Sequence, residues 1–446
     1  MALTEEQIEI LSSALVPLFQ YLEAEVIRDV ARRIKRTMTY TRTAELQALS
    51  MLELGYSPAK IRKEAMKILN ADPKFRKEVA LNTMQYKKDI AKLIQEIENE
   101  AFKQNNMIVA KAGDMAWFSD LSVWRKNGKN LKSNSFLNRL VKTFALQTNN
   151  EMRNLTRTTG FKSMSGFEPL QKLYRMELDK ALVKLCSGAF NRDTILADVV
   201  HSLSQSGLRT IDFSSGYSMQ LDTAVRVAMR TGFNQMAGKI TDENIKQSDV
   251  NLVYVSSHWG ARDKGVGHQN HKLWQGKVYY IKHIEGETYQ DECRRIGQST
   301  IEDLWEITGY SVDGAHESDP LGLHGYNCRH QHHPWFEGSS SLPHKGLEEP
   351  TDIEVDGKKY SYYDVTQKMR AMERNIRSLK REKEALKSLG QDTKEISAKI
   401  LEKTRQYTDF CQKANVNPQK NRLRYENGTS DLTKTEAYRE YKQMQE

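Results

Sequence analysis

Imidazole, thiol and guanidinium groups crowd into one stretch of this chain. Ten of its eleven histidines fall between His258 and His344, and only His201 lies outside. The same stretch holds Cys328 in the run Gly325-Tyr-Asn-Cys-Arg-His-Gln-His-His-Pro334. If Cys328, His330 and His332 share a β-strand they point to one face, because the side-chain period of a strand is two. Two of them could then bind Zn²⁺, with His258 or His271 completing a tetrahedron. The competing reading is a buried hydrogen-bonded cluster in which imidazoles and guanidinium tie loops to strands. A Cys328 thiolate with a histidine base would be a nucleophile, and the histidines with Asp263 would suit a metal-dependent nuclease. The flanking residues match no cysteine-hydrolase pattern, and the chain has no Walker A motif, dinucleotide turn, nucleophile elbow or HExxH. Arg226, Arg230 and Arg262 have the chemistry to hold phosphate, although arginines on an exposed helix face need no ligand to explain them.

The elements that must position these groups are mostly helical. Thr4-Glu-Glu-Gln7 reads as a capping box, and behind it Ile8, Leu11, Leu15, Leu18, Leu22, Val26 and Val30 mark one face of a long helix that Pro17 kinks or divides. Ser57-Pro58 and Asp72-Pro73 start two more helices, the second ending near Phe102. Lys126–Asn134 is a polar loop. Helical periodicity returns over 137–205, and a last helix spans about Leu221–Met236. The first 245 residues show no strand-like alternation. Strands are expected at Asn251–Ser257, Lys277–Ile281 and Cys328–His333, and residues 337–347 read as a linker. Beyond it, Val365, Met369, Met372, Ile376, Leu379 and Leu386 form a short seam, and a second helix runs through Ile396, Ile400, Tyr407 and Phe410. This predicts a basic helical hairpin with Arg370, Arg374, Arg377, Lys380 and Arg381 on its surface.

The expected fold is therefore mainly α. It comprises a long helical N-terminal region (1–125), a helical lead-in (135–245), a small His-rich α+β module (250–337) and the basic hairpin tail (360–446). A length of 446 residues suits several domains rather than one core. The net charge of +9 favours acidic partners such as nucleic acid or an acidic protein surface. Four scattered cysteines without a CxxC pair suggest a reducing cytosol rather than a disulfide framework. No leader pattern opens the chain and no apolar run looks long enough for a membrane helix, so a soluble, cytoplasm-made protein with no membrane partner is expected.

One stretch of wording is specific. His258-Trp-Gly260-Ala-Arg262, then His271-x-x-Trp274-Gln275-Gly276-Lys-Val-Tyr279, and finally Gly322-Leu-x-Gly325-x-Asn327-Cys328-Arg329-His330 resemble the phage minor capsid protein 2 family, which is akin to Mu F-like head morphogenesis proteins. Ser206–Gly216 with Gln220–Arg226 resembles the family's helical lead-in, and Lys368–Arg374 through Tyr407–Cys411 its helical tail. The likeness covers roughly 170–420. It implies a minor head protein of a tailed phage or prophage, assembled in the bacterial cytoplasm and carried in the virion. Its partners would be the portal protein, other head proteins and packaged viral DNA. A second hypothesis makes the module an enzyme, a metal-dependent nuclease or transferase packaged with the genome. In it His258, His271, Cys328 and His330 hold zinc, the one cofactor in view.

Overall fold

The computed structural model describes residues 4–444 except 132, 164, 165, 213, 283, 344–348 and 352. The expected linker 337–347 therefore lies partly outside the described residues. About 63% of the chain is helical and 8% is strand, which makes the fold mainly α.

The N-terminal signals act as their chemistry requires. Gln7 N donates to Thr4 Oγ1 at 3.2 Å and Thr4 N donates to Gln7 Oε1 at 2.9 Å, closing the capping box of α1 (Glu5–Ser13). Pro17 lies in the first turn of α2 (Val16–Thr37), where its missing N–H costs nothing, so the pattern is broken into two helices rather than kinked. Residues Glu6–Tyr40 also have the length and composition to cross a membrane, a property the reading above passed over. In this fold they are core helices, with 78% of the most apolar window buried. Next come α3 (Arg42–Glu53) and α4 (Pro58–Ala71).

The helix α5 (Pro73–Lys126) starts at its predicted cap, where the Asp72 carboxylate accepts from Lys74 N and Phe75 N. It does not stop near Phe102. Ile108, Val109, Ala112, Ala116, Trp117 and Trp124 keep one face buried, and the helix extends to about 80 Å at the usual rise. Against it pack α6 (Leu137–Arg157) and, further on, α9 (Leu221–Ile245).

Between these helices lies a sheet that the sequence did not announce. Its strands β1 (Thr159–Ser163), β2 (Gly166–Pro169), β3 (Arg209–Ile211) and β4 (Ser218–Gln220) are ordered β2-β1-β3-β4, all antiparallel. They are short and rich in Gly, Ser, Arg and Lys, so no alternating pattern could build up. The helices α7 (Leu173–Leu185) and α8 (Arg192–Ser206) interrupt the sheet. The helix α9 (Leu221–Ile245) is buried on most of its circumference, including Arg230 and Asp222. Residues from both expected helical regions, α1 to α9, share one apolar cluster.

The module that follows is built on β5 (Leu252–Val255), α10 (His271–Trp274), β6 (Val278–Tyr280), α11 (Gln290–Ile296), β7 (Glu302–Asp303), α12 (Leu304–Thr308) and β8 (His332–Trp335). Its sheet order is β7-β6-β5-β8, with β5 central and antiparallel to β6 and β8. Apolar clusters cover it from Val253, Val255, Trp274 and Tyr279 on one side and Leu252, Tyr254, Val278 and Trp335 on the other. The third strand is displaced from Cys328–His333. Cys328 and His330 lie in the loop before β8, so the argument from strand periodicity fails for them.

A two-stranded turn, β9 (Ile353–Val355) and β10 (Lys358–Tyr360), leads into the expected hairpin of α13 (Tyr362–Ser388) and α14 (Lys394–Lys413). Tyr407 Oη donates to Glu373 Oε1 at 3.0 Å across the pair. The chain then returns along α1 and ends in α15 (Glu436–Gln443). The basic surface expected on α13 needs correction. Of its five residues only Arg374 is exposed, while Arg370 and Lys380 are half-buried and Arg377 and Arg381 are buried. Arg381 pairs with Glu23 on α2 and donates to Ser204 O on α8. Lys380 donates to Leu423 O at 2.7 Å, and Arg377 to Arg422 O at 2.8 Å. Charge counting along the helix could not see that α13 packs against α8 and α2 on the face that carries these residues.

Candidate functional site

The loop 322–331 is where backbone geometry is most demanding. A Cβ on Gly322 would lie 2.2 Å from Thr308 O, and one on Gly325 would lie 2.3 Å from Pro320 O. Glycine is required at both by close backbone approach. His324 and Asn327 take left-handed φ of 56° and 58°. The tight loop is pinned to α9, since Asn327 N donates to Thr231 Oγ1 at 3.0 Å and Arg230 Nη1 donates to Asn327 Oδ1 at 2.9 Å.

So held, the loop delivers Cys328 and His330 to His271 on α10. Their ligand-type atoms all lie within 4.8 Å of one another, and all three residues are buried. His258, the fourth member of the expected metal set, is only half-buried and stacks its ring on His330 at 4.4 Å. Trp274 closes the cluster, with ring centroids 4.5 Å from His271 and 4.8 Å from His330. Gln275 Oε1 accepts from His330 Nε2 and from His258 N, each at 3.0 Å. Gly276, at φ +75°, turns the chain so that its N–H reaches Val255 O at 2.9 Å. Gly260 faces α13, where a Cβ would meet Thr366 at 3.3 Å. Arg262 is half-buried, with its carbonyl accepting from Lys272 N at 3.1 Å. Arg329 lines a cleft that His258 and Gln275 also border.

Burial favours the neutral forms of His271, Cys328 and His330. Burial pushes the His271 imidazolium down to about 4 and His330 well below the usual histidine range, and it pushes the Cys328 thiol up to about 11. With His330 Nε2–H on Gln275, its Nδ1 is free to accept from the Cys328 thiol, 3.6 Å away. His271 Nε2–H donates to Leu321 O at 2.8 Å.

His332 is not part of this group. It lies with Asp242 at 3.1 Å, His324 at 2.8 Å and, through Asp242, Tyr310 at 2.8 Å in a separate buried network against α9. His333, on the other face of β8, stacks near Tyr254. Alternation thus separates the neighbours His332 and His333.

A model of the phage minor capsid protein 2 family matches residues 70–412, from the end of α4 to the end of α14. The chain belongs to the phage minor capsid protein 2 family. Like that family, it is a phage head protein. It is also similar to a structural protein of Lactococcus phage LL-H, with 23% identity over 309 residues, covering 67% of this chain and 75% of the relative. No solved structure matches.

One group of polar residues was missed by sequence reasoning. Arg226 and Arg230, taken for exposed helix-face arginines, are half-buried and 3% exposed respectively, and Arg230 pairs with Glu9 near the start of the chain. Arg422 pairs with the same carboxylate at 3.0 Å. Glu9 and Arg422 are 413 positions apart, and both lie outside the stretch that carries the family match. The spacing of the first helix carried no signal for it, because Glu9 lies off the face marked by Ile8, Leu11 and Leu15.

Proposed function

We propose that this head protein acts in procapsid assembly near the portal vertex, as a minor component contacting the portal and other head proteins. In this reading the His/Cys module is a folded docking unit of the Mu F-like kind, assembled in the host cytoplasm. The observation that carries it is an apolar face left uncovered on α3. Leu46, Leu49 and Leu52 recur every three residues and stand between 42% and 49% exposed, with Leu54 and Tyr56 exposed just beyond. A contiguous apolar stripe of this kind suits protein contact. Lys368, Arg374 and Lys387 remain exposed on α13 as separate basic groups for contact with packaged DNA, which would weaken steeply with salt.

Quantitative mass spectrometry of purified virions, with co-purification of the portal protein from the same lysate, tests this. The expected result is low-copy presence in virions and recovery with portal, lost when Leu49→Glu and Leu52→Glu are combined without change in the melting curve. Absence from virions, or portal recovery indifferent to those substitutions, overturns it.

A second reading, a metal centre, is favoured by one observation. In the His271, Cys328 and His330 group both imidazoles donate an outer N–H to oxygen, to Leu321 O and Gln275 Oε1, and this is how metal-bound histidines are oriented. Zinc ligands in a tetrahedron sit roughly 3.5 Å apart, so a small contraction would suffice. Elemental analysis decides the matter. Stoichiometric zinc lost in Cys328→Ser supports the centre, and a metal-free folded chain removes it. A nuclease or transferase would in addition need substrate access to groups that are 1% (Cys328) and 0% (His330) exposed.

A further inference from the structure

Six guanidiniums gather where α1, α9, the motif loop and the C-terminal hairpin meet. They are Arg226 and Arg230 on α9, Arg329, Arg370 and Arg377 on α13, and Arg422. Two carboxylates pair with three of them. Glu9 pairs with Arg230 and Arg422, and Asp222 lies 3.6 Å from Arg377. Other acids along the walls are engaged elsewhere: Glu349 with Lys272 at 3.1 Å, Glu440 with Arg424 at 2.8 Å, and Glu373 with the Tyr407 hydroxyl. Glu6 stands in solvent at the mouth.

Among the described residues neither Arg226 nor Arg370 forms an ion pair. The Nε of each is shut off from solvent without a hydrogen-bond partner. A guanidinium keeps its proton under all ordinary conditions, so the surplus positive charge cannot be relieved by titration. Its strength is visible in the arginines themselves. Burial, then Arg422, Arg329 and Arg230, push Arg370 well below the usual range, and burial brings Arg230 down to about 10 despite Glu9. Buried charge without a counterion is costly, and the remedy is an anion.

There is room for one. A cleft of about 2160 Å³ has Arg329, Arg370 and Arg422 on its walls, together with Glu9, His258 and Gln275. A smaller hollow of about 40 Å³, with Arg226 in its wall, shares Glu9 and Arg422 with it. We infer that this cleft binds a phosphate group between Arg329, Arg370 and Arg422, borne by a molecule larger than the ion itself. Phosphate offers several acceptor oxygens and up to two charges to guanidinium forks, which a single carboxylate does not. The cleft volume far exceeds that of the ion, so the group belongs to a phosphorylated small molecule or to a nucleic-acid backbone. Anion binding here does not depend on where in the head the chain sits.

The test uses the full chain at fixed pH and matched ionic strength. Melting is followed in chloride, orthophosphate and pyrophosphate, and binding of a labelled 20-nucleotide thymidine oligomer is followed by anisotropy. Phosphate and pyrophosphate are expected to raise the melting temperature above that in chloride. In Arg370→Gln the rise disappears and pyrophosphate affinity falls roughly tenfold or more, while the melting temperature in chloride stays level or increases. Arg370→Lys, which keeps the charge and loses the fork, retains part of the response and guards against misfolding. Arg374→Gln, on the exposed side of α13, retains all of it. Oligomer binding that pyrophosphate displaces assigns the site to a nucleic-acid backbone, and pyrophosphate binding without oligomer binding assigns it to a small phosphorylated molecule. Equal melting in phosphate and chloride, or an undiminished rise in Arg370→Gln, overturns the site.

Discussion

In the histidine cluster the main polar groups find uncharged partners within the module. His330 donates to Gln275, Cys328 lies against His330, and His271 donates to a carbonyl. In the arginine cleft and the hollow beside it, a few residues away through Arg329, Arg226 and Arg370 form no ion pair among the described residues, and the buried Nε of each has no hydrogen-bond partner. The first arrangement is complete by itself. The second is complete only with something else bound. The contrast teaches that the buried members of a conspicuous composition, here His271 and His330, can find their hydrogen-bond partners within one small module. The chemistry that reaches outward can come from arginines spread across the whole chain.

Breaking the closed side should have the largest effect. His330→Ala leaves a cavity and strips partners from Gln275 and Cys328, and a loss of about 3–5 kcal/mol is expected in chemical denaturation. A loss under 1 kcal/mol would mean that the cluster does not support the module. Among the arginines, the sharpest contrast with Arg370 is Arg381, whose guanidinium is buried and paired with Glu23. Arg381→Ala strands that carboxylate against Leu208 N and Tyr425, and should cost about 3–4 kcal/mol by the same measurement.

A smaller effect is expected at Asp120, a buried carboxyl that accepts from Thr241 Oγ1 at 2.9 Å and Asn244 Nδ2 at 2.7 Å, joining α5 to α9. Burial raises it from 3.8 to about 6, against the lowering pull of those hydrogen bonds and of His332. The folded form thus holds its proton more tightly than the unfolded form. Stability from this group is full below about pH 3.8 and is lost as pH rises towards 6. Asp120→Asn removes the dependence, so its stability relative to wild type should climb across that window by up to about 3 kcal/mol in melts at stepped pH. A flat difference between pH 4 and 6 would count against the raised carboxyl. The smallest effect is expected for Arg370→Gln in chloride, within about 0.5 kcal/mol of wild type or slightly more stable. A destabilisation as large as that of Arg381→Ala would show that Arg370 has a partner after all, and the contrast between closed and open clusters would collapse.

Much of this is legible in the sequence alone. The Thr4 capping box, the break at Pro17, the starts at Pro58 and Pro73 and the α13–α14 hairpin are local signals, set by missing donors and side-chain oxygens within four residues. So are β5 and β6, where β-branched and aromatic residues follow one another. The motif wording was also legible, and His271, Cys328, His330, Trp274 and Gln275 do converge. The sheet β2-β1-β3-β4 was not, because strands of three to five residues are too short to show a pattern, and its two local pairs, β1–β2 and β3–β4, meet only through the distant pairing of Thr159 with Thr210 and Gly160 with Arg209. The shift of β8 past Cys328 had the same origin: loop 322–331 is shaped by its anchor on α9 and by close contacts at Gly322 and Gly325.

The sequence by itself determined where several helices begin, which residues could ligate or donate, and the family. Tertiary structure decided which charges face one another. Arg377 and Arg381 read as surface because their neighbours in sequence are lysines and glutamates. They are inside because α2 and α8 cover Arg381, while Asp222 on α9 and the Arg422 carbonyl meet Arg377. Glu9, Arg230, Arg329, Arg370 and Arg422 became one electrostatic unit only when helices from both ends of the chain packed around α9. Coulombic interaction depends on distance and burial in space, and neither is written in the spacing of residues along a chain.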